Sequence, residues 1–475
     1  MLNLFKRRKH RKVFVVGLDC APPAALFHMS DENGLGLRDQ LPNLSRLIDE
    51  GIYGPLSCSV PCITVPAWTS MLTGKDPGVL GFYGFRNRAD HTYENMSIAT
   101  SRSIKVDRVW DILSRADKNV VVAGVPQTFP VKPVNGYMIS SFLTPSTHSQ
   151  FTYPESLKHE IATVVDGEYM FDVRQFRTED KAFLLDQIYE LADQHHQVLT
   201  HLMTSKPWDF FMHVDMGVDR IHHGLWSSFD PRHPQYEPGN PFENAIRDYY
   251  IHLDGQIGER LALLDDDTAV LVVSDHGAKP MMGGICFNEW LKREGYLTLE
   301  YQPDGIVPLE KCEVDWEHTL AWGSGGYYAR LFLNVKGREP DGIIDPADYE
   351  RVRDELAERI AGITDPEGNP LGSVAYKPEE IYREVNNIAP DLIVYFGDLN
   401  WRSVGSLGLD SIYTFKNDIG PDDANHAQEG LYIYYNPASQ GQGRGPRRHL
   451  LDVAPTILEI VGVPAPSDML GDSFA

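Results

Sequence analysis

Residues 268–277 read Thr-Ala-Val-Leu-Val-Val-Ser-Asp-His-Gly, an apolar run that ends in an acidic residue, a histidine and a glycine. Such a run predicts a strand buried on both faces, as strands of parallel sheets are. Ligands of open α/β sheets bind outside the carboxyl ends of the strands, where Asp275 and His276 would lie. The pair offers one oxygen and one nitrogen, which zinc and manganese accept as ligands. Taken alone, the dipeptide is better explained by a turn Asp and a solvent-facing His.

The rest of the chain repeats this pattern of short apolar runs, separated by longer amphipathic stretches that predict helices. The predicted core strands span 13–18, 120–125, 210–214, 268–273 and 392–396. The predicted helices span 43–50, 106–116, 178–204, 244–264, 347–360 and 452–461. We therefore expect an α/β fold whose central sheet is mainly parallel and is covered by helices on both faces.

The alternation is interrupted by an irregular insertion at about 140–175 and by a mixed α/β insertion at about 278–385. Either insertion could cover an active site as a lid, or could simply extend the sheet. Because the candidate ligands come from both ends of the chain, we expect one catalytic domain, 13–475, preceded by a basic leader, 1–12. The leader is either a solvated segment, which is the simpler explanation, or a weak contact for anionic lipid or RNA.

The chain has 475 residues, and 43 basic against 67 acidic side chains give it a formal charge of −24. A nucleic-acid partner is therefore not expected, although bound cations could still create a phosphate site. Five cysteines without C-x-x-C spacing argue against a disulfide framework and a thiolate zinc site, so we expect a cytoplasmic protein. A transmembrane helix is not expected, because no run of about eighteen apolar residues occurs.

Another strand-like run leads into the densest group of possible ligands. Residues 210–226 read Phe-Phe-Met-His-Val-Asp-Met-Gly-Val-Asp-Arg-Ile-His-His-Gly-Leu-Trp. If a helix follows the strand, Asp219 and His223 lie on one face at i and i+4 and can bind the same ion. His222 competes for that role, and Asp215, four residues before Asp219, could extend the row. A purely structural cluster of this density is the weaker explanation.

Two isolated residues gain weight from these groups. Residues 12–19 read Lys-Val-Phe-Val-Val-Gly-Leu-Asp, a strand that ends in Asp19. Asp is common after strands, so Asp19 alone says little. His426 lies in a polar loop before the strand-like run 431–435, and it matters because the site is otherwise one nitrogen ligand short.

A hydroxyl that could act as a nucleophile lies in residues 61–74, which read Pro-Cys-Ile-Thr-Val-Pro-Ala-Trp-Thr-Ser-Met-Leu-Thr-Gly. Pro66 suits the first turn of a helix, which places Thr64 near the helix amino end. Free N–H groups and the helix dipole favour an incoming phosphate there. A lone hydroxyl is a poor nucleophile until a base or a metal lowers its pKa. Without the Asp and His groups, an N-cap role for Thr64 would be preferred.

Taken together, these segments resemble the type I phosphodiesterase / nucleotide pyrophosphatase family of the alkaline phosphatase superfamily. The resemblance runs from Asp19 to the ending 452–462, and it rests on the order of the motifs: strand-end Asp, Thr before a Pro-containing helix, D-x-x-x-H, D-H-G and a late His. It implies an alkaline-phosphatase-like fold with lid-like insertions, and hydrolysis of small phosphate esters, with nucleotides among the candidate substrates.

The resemblance also implies roles for seven residues, which would bind two divalent metal ions, zinc or else manganese. One ion would be held by Asp219, His223 and His426. The other would be held by Asp19, Asp275, His276 and the oxygen of Thr64. Thr64, deprotonated at its metal, would attack phosphorus, and water would hydrolyse the resulting phospho-threonine.

The loop after the predicted Thr64 helix departs from the family pattern, in which an Asn binds a phosphate oxygen. Residues 81–87 read Gly-Phe-Tyr-Gly-Phe-Arg-Asn, so Phe85 stands at the position of that Asn. The adjacent Arg86 and Asn87 could bind substrate instead. A cationic Arg86 favours a more highly charged phosphate and hence a monoester. Diesterase, monoesterase and phosphonate hydrolase activities therefore stay open at this point. The glycines of 321–328 also indicate either a site-facing loop or a plain one.

Three other classes fit less well. A sulfatase shares the fold but needs a C-x-P-x-R sequence, which follows neither Cys58 nor Cys62. A cofactor-independent phosphoglycerate mutase uses a Ser nucleophile, whereas this chain offers Thr64. A non-catalytic protein that binds membrane surfaces would tolerate loss of a ligand, yet every expected ligand is present.

Overall fold

The computed structural model describes residues 12–27, 35–439 and 443–475. The predicted leader, 1–12, lies outside these residues except for Lys12, which begins the first strand and pairs with Asp265 at 2.8 Å. Among the described residues, no helix combines the length and apolar character needed to cross a membrane. The strands are β1 (Lys12–Leu18), β2 (Ile52–Ser57), β3 (Arg86–Arg88), β4 (Met96–Ile98), β5 (Val120–Ala123), β6 (Gly136–Ile139), β7 (Thr152–Tyr153), β8 (Phe210–Asp215), β9 (Thr268–Val273), β10 (Gly277–Pro280), β11 (Gly283–Cys286), β12 (Ala321–Ser324), β13 (Ala329–Leu333), β14 (Val374–Tyr376), β15 (Leu392–Tyr395), β16 (Trp401–Val404), β17 (Tyr413–Thr414), β18 (Ala424–Ala427), β19 (Glu429–Tyr435), β20 (Gly443–Arg444) and β21 (Arg448–His449).

The helices connect these strands and cover the sheet. They are α1 (Pro23–Leu26), α2 (Pro42–Glu50), α3 (Thr64–Thr73), α4 (Pro77–Leu80), α5 (Val109–Arg115), α6 (Leu157–Val164), α7 (Lys181–Ser205), α8 (Gly217–Phe229), α9 (Ala245–Leu261), α10 (Phe287–Arg293), α11 (Tyr349–Ala361), α12 (Pro378–Ile381) and α13 (Val453–Val461). Short 3-10 turns precede several of them.

A ten-stranded sheet forms the centre of the molecule, in the order β20-β2-β19-β9-β1-β8-β5-β6-β7, with β21 also paired to β2. Strands β9, β1, β8, β5 and β6 are mutually parallel, whereas β19 runs antiparallel to both β9 and β2. Parallel neighbours need crossover connections, which contain helices except between β5 and β6, where residues 124–135 form a loop. The predicted α/β class with a mainly parallel sheet is confirmed.

Side chains alternate between the two faces of the sheet, and each face packs on its own helices. In β1, Phe14 and Val16 face the core formed with α2, α7, α8 and α9. Val13 and Val15 face the opposite core, which is formed with α3, α5 and α13. Both faces are therefore buried, which explains why the central strands are apolar throughout rather than alternating.

One predicted core strand lies elsewhere. Residues 392–396 contribute β15, which pairs antiparallel with β13 and β14 in a separate four-stranded sheet of order β12-β13-β15-β14. This sheet packs with α10 and α11 in a third apolar core. Its assignment to the central sheet was wrong, because an apolar run shows that a strand is buried but not which sheet it joins. The insertion's sheet therefore extends past residue 385.

Candidate functional site

The carboxyl ends of three neighbouring central strands bring the acidic residues together. The register pairs Leu18 of β1 with Asp215 of β8, and Gly17 with Val273 of β9. The residues that follow β1 and β9 therefore emerge at the same edge of the sheet. This is the edge at which α/β proteins bind ligands.

The first group, which we call the β9 cluster, consists of Asp19, Asp275 and His276, all fully buried. One ligand atom from each lies within 4.8 Å of the others. His276 Nε2 is 3.2 Å from Asp275 Oδ2 and 3.8 Å from Asp19 Oδ1. Asp19 Oδ1 and Asp275 Oδ2 accept no hydrogen bond from any described residue. Buried carboxylate oxygens are costly without a partner, and a cation would supply one.

The second group, which we call the α8 cluster, consists of Asp219, His223 and His426, with Cys20 Sγ alongside. Because β8 is followed directly by a helix, Asp219 and His223 fall one turn apart, with Asp219 Oδ1 3.2 Å from His223 Nε2. His426 reaches the group from β18, which pairs with β10 immediately after the β9 cluster. The rings of His426 and His276 stack at 3.9 Å, so the two clusters adjoin.

All three imidazoles are held through Nδ1 by oxygen acceptors. His223 Nδ1 is 2.7 Å from Asp422 Oδ1, His426 Nδ1 is 2.9 Å from Cys62 O, and His276 Nδ1 is 3.2 Å from Gly277 O. In His276 and His426, a proton on Nδ1 leaves the lone pair of Nε2 free for a metal, as in other metal sites. Burial opposes protonation of His223, but the charges of Asp219 and Asp422 raise its pKa to about 10, so a metal at Nε2 would displace a proton. Nε2 of His223 and of His426 has no hydrogen-bond partner within the described ranges. The side chains therefore fit metal ions.

The pKa values of the cluster residues also fit a site that binds metal ions. Burial, reinforced by the charge of Asp219, raises the pKa of Asp19 well above its ordinary value. Burial and the charge of Asp19 do the same to the pKa of Asp275. Burial also lowers the pKa of His276 to about 4 and that of His426 well below its ordinary value, so both are neutral at pH 7. The carboxylates would ionise together in the presence of divalent cations.

Asp219 behaves differently because it has cationic neighbours. Burial opposes its ionisation, but the charges of His223 and Arg220 hold the pKa of Asp219 well below its ordinary value. Burial also raises the pKa of the Cys20 thiol, and the charge of Asp219 raises it further. Asp219 is therefore an ionised ligand candidate, whereas Cys20 is a neutral thiol beside it.

Thr64 is the first residue of α3, and its hydroxyl faces the β9 cluster. Thr64 Oγ1 lies 3.3 Å from His276 Nε2, and the side chain is buried. One turn further along α3, Trp68 Nε1 donates to Asp19 Oδ2 at 2.6 Å. This bond fixes the amino end of α3 against the cluster, and the first turn of a helix carries free N–H groups that favour an anion.

A cavity of about 770 Å³ reaches the amino end of α3. Thr64, Asp219 and His426 are among the residues that line it. The loop that carries Phe85 and Arg86 and the glycine-rich stretch 323–328 line other parts of it. The glycine-containing segment 321–328 therefore faces the site through its residues 323–328. A cavity of this size accommodates a small organic ester.

Two other candidate residues, His222 and Asp215, have different surroundings. His222 points away from both clusters, with Nδ1 3.0 Å from Cys20 O and Nε2 3.3 Å from Tyr250 Oη, so the geometry favours His223. Asp215 accepts bonds from Val218 N and Tyr249 Oη.

The contacts of Asn87 do not support its predicted role in binding substrate. Its Oδ1 accepts from Tyr83 N at 2.6 Å and its Nδ2 donates to Gly84 O at 3.0 Å. Both ends of the amide therefore hold the loop, and the structure does not bring this side chain to the cavity. Arg86, by contrast, is exposed and lines the cavity, and Phe85 packs edge-on against Phe142.

The sequence did not indicate the residues that support the clusters. Asp422 Oδ1 binds Nδ1 of His223. Asp422 Oδ2 lies 3.0 Å from Tyr327 Oη, 3.0 Å from Arg177 Nη2 and 3.6 Å from Arg402 Nη1. Asp422 stands four residues before His426 in a polar loop, where an acidic side chain carries no distinctive pattern. Its importance becomes visible when the fold brings the loop against α8.

The fold, the paired clusters and the cavity together are those of a phosphoester hydrolase. The chain belongs to the type I phosphodiesterase / nucleotide pyrophosphatase family, whose model matches residues 13–422. This confirms the family predicted from the motifs. The members of this family are metal-dependent enzymes, and the buried clusters agree with that property.

Solved structures share the fold at low sequence identity. The chain superposes on phosphonoacetate hydrolase from Sinorhizobium meliloti 1021 with a TM-score of 0.60 and 16% identity, over 95% of this chain and 96% of that one. It superposes on murine ectonucleotide pyrophosphatase / phosphodiesterase 5 with a TM-score of 0.54 and 13% identity, over 96% of each chain. No curated protein sequence matches the chain significantly.

Proposed function

We propose that this enzyme hydrolyses small phosphate esters through Thr64 as nucleophile and two divalent metal ions. The observation that carries the proposal is that the β9 cluster adjoins both the α8 cluster and the Thr64 hydroxyl, and that Thr64, Asp219 and His426 line one cavity. Both clusters contain buried nitrogen or oxygen atoms without a hydrogen-bond partner, and bound cations would supply the missing partner.

The ligand sets divide between the two ions. Asp219, His223 and His426 would hold one ion. Asp19, Asp275, His276 and the Thr64 hydroxyl would hold the other. Mixed carboxylate and imidazole donors suit Zn²⁺, with Mn²⁺ as the alternative. When bound, two such cations neutralise phosphoryl oxygens and favour the ionised form of a ligated hydroxyl.

The chain's own residues then account for a two-step displacement. Thr64 Oγ1 releases its proton to solvent and attacks phosphorus. The bond from phosphorus to the leaving oxygen breaks, and that oxygen takes up a proton from solvent, which gives phospho-threonine and the free alcohol. Water attacks phosphorus of the phospho-threonine, and the bond from phosphorus to Thr64 Oγ1 breaks. A proton from the attacking water passes through solvent to Thr64 Oγ1, which regenerates the hydroxyl and releases phosphate, or a phosphomonoester if the substrate is a diester. The amino end of α3 supplies N–H groups that favour the negative charge of the phosphoryl group in both steps.

The substrate is proposed at the level of its chemistry. The family description includes phosphodiesters and nucleotide pyrophosphates. The fold relatives include phosphonoacetate hydrolase bound to phosphonoformate, and an inactive murine ectonucleotide pyrophosphatase / phosphodiesterase 5 bound to AMP. Arg86 at the cavity favours a monoester, because an additional cation stabilises the second phosphate charge. Phosphomonoesterase or phosphonate hydrolase activity is therefore the alternative to diesterase activity.

A cytoplasmic location also stays a prediction. It is supported by the five cysteines, all of which are free and lie within the described part of the chain.

A direct test compares bis-p-nitrophenyl phosphate, p-nitrophenyl phosphate and phosphonoacetate as substrates of the zinc-loaded and manganese-loaded protein. We expect turnover of at least one of them, and loss of on the order of 10³-fold in Thr64→Ala at unchanged metal content. Thr64→Ser keeps a hydroxyl and should retain part of the rate. Full activity in Thr64→Ala would contradict the assignment of the nucleophile.

A further inference from the structure

Two arginines share one carboxylate in the wall of the cavity. Arg177 Nη2 lies 3.0 Å from Asp422 Oδ2, and Arg402 Nη1 lies 3.6 Å from the same oxygen. The other oxygen, Asp422 Oδ1, is occupied by His223 Nδ1 at 2.7 Å. Among the residues that the structure describes, Asp422 is the carboxylate partner of both guanidinium groups. One positive charge in this pair is therefore unmatched.

The hydrogen bonding of the two guanidinium groups is also incomplete. Arg402 is 2% exposed, and its Nε and Nη1 donate to nothing in the described ranges. Arg177 Nε likewise has no acceptor among the described residues, although Arg177 Nη2 also donates to Tyr327 Oη at 3.1 Å. Buried donors of a charged group are normally paired, because leaving them unpaired is costly.

The two other buried arginines of the same cavity, Arg88 and Arg220, have carboxylate partners of their own. Arg220 donates to both oxygens of Asp172 and pairs with Asp219. Arg88 pairs with the buried Glu339 at 3.0 Å. These guanidinium groups are neutralised by carboxylates of the protein.

The unmatched pair adjoins the α8 cluster. Arg177 and Arg402 line the cavity together with Thr64 and His426. Tyr327 connects them to the cluster: its hydroxyl donates to Asp422 Oδ2 at 3.0 Å, and its ring lies 4.2 Å from the ring of His426. An anion that entered the cavity and was held at the clusters would lie near both guanidinium groups.

We propose that Arg177 and Arg402 form a subsite for a second anionic group of the substrate, a carboxylate or phosphate joined to the reacting phosphoryl group. A guanidinium group binds either anion through paired N–H donors, and the unmatched charge of this pair would be balanced only in the complex. The inference rests on the proposed function, because it places the reacting phosphoryl group at the two clusters.

The test measures binding to zinc-loaded Thr64→Ala by calorimetry, with three probes. Pyrophosphate carries a second phosphate group, phosphonoacetate carries a carboxylate, and methylphosphonate carries neither. We expect at least one of the first two to bind about tenfold more tightly than methylphosphonate, a difference of roughly 1.4 kcal/mol. Adding Arg402→Gln or Arg177→Gln should reduce that preference to about threefold or less.

Arg330→Gln is the matched control, since Arg330 lines the same cavity but donates to neutral oxygens, Arg86 O and Ser324 Oγ. It should keep the preference. If Arg402→Gln does not fold, the less buried Arg177→Gln decides the result alone. Equal binding of the three probes, or an equal loss for all three in Arg177→Gln, would overturn the subsite.

The outcome can be separated from that of the hydrolase proposal. If pyrophosphate or phosphonoacetate binds more tightly than methylphosphonate, and this difference depends on Arg177, the subsite is supported even when the enzyme turns over none of the test substrates. The absence of turnover would then contradict the hydrolase proposal alone. Turnover that depends on Thr64, with no probe preference, supports the hydrolase and overturns the subsite.

Discussion

Thr64 Oγ1 lies 3.3 Å from His276 Nε2, although 212 residues separate the two in the chain. The contact exists because α3 begins at Thr64 and is fixed by Trp68 to the carboxyl end of β1, next to the end of β9. A hydroxyl at a helix amino end thereby contacts a neutral imidazole, which itself lies beside the buried carboxyl groups of Asp19 and Asp275.

Metal stoichiometry should distinguish the two adjacent histidines of α8. His223→Asn is expected to lose about one equivalent of zinc, because Nε2 of His223 faces Asp219. His222→Asn is the control and should keep both equivalents, since its ring nitrogens face Cys20 O and Tyr250 Oη. Metal content measured by mass spectrometry of the dialysed proteins checks this. Equal zinc in wild type and His223→Asn would contradict the ligand assignment.

Removing metal should destabilise the fold. Asp19, Asp219 and Asp275 are buried close together, and without cations burial and mutual repulsion disfavour the ionised forms of Asp19 and Asp275. We expect chelation to lower the thermal midpoint and zinc to restore it. Free zinc at about a thousand times its Kd would add roughly 4 kcal/mol to the free energy of unfolding. An unchanged midpoint after complete removal of metal would count against the two clusters as metal sites.

Asp422 should act as a positioning residue for His223. Its Oδ1 accepts from His223 Nδ1 and thereby directs Nε2 toward Asp219. Asp422→Asn is expected to weaken zinc binding about 10- to 100-fold, as loss of such a partner does in other sites. Asp423→Asn is the neighbouring control, because Asp423 bonds to Ser227 instead. Competition with a chromogenic chelator measures the affinity, and identical values for the two variants would refute the role.

His213 should make the stability depend on pH independently of metal. Burial lowers the pKa of His213 well below its ordinary value, the charge of Arg260 lowers it further, and neither ring nitrogen has a partner within the described residues. The unfolded chain therefore binds a proton that the folded chain does not. The stabilisation is present above about pH 6.5 and is lost progressively as the pH falls below that value.

His213→Phe removes this titrating group and preserves the ring that stacks on Phe14. We expect the thermal midpoint of wild type to fall more steeply than that of His213→Phe between about pH 7 and about pH 5. Parallel curves for the two proteins would show that His213 does not contribute.

The sequence predicted the strands that position the site because they carry a physical signature. The run 268–273 matches β9, and the spacing of Asp219 and His223 required only that a helix follow β8. Cluster residues could be proposed because the carboxyl ends of parallel strands share an edge. Thr64 followed from Pro66, which fixes where the helix begins.

Other features could not be predicted because they depend on packing between distant segments. The strand at 392–396 looks like any buried strand, and pairing with β13 and β14 decides its sheet. Asn87 is polar and adjacent to the expected position, yet its amide bonds to its own loop. The carboxylate of Asp422 has no local pattern, since its role arises from contact with His223 across the fold.

The central claim is that Thr64 becomes transiently phosphorylated, and trapping that intermediate tests it most directly. The zinc-loaded enzyme would be mixed with p-nitrophenyl phosphate, or with whichever test substrate turns over, quenched in acid within the first turnovers, digested and analysed by peptide mass spectrometry. We predict a phosphoryl group, or its ester if a diester is used, on Thr64, and none after chelation or in Thr64→Ala. Rapid turnover in Thr64→Ala, or modification of a different residue in active enzyme, would contradict the mechanism.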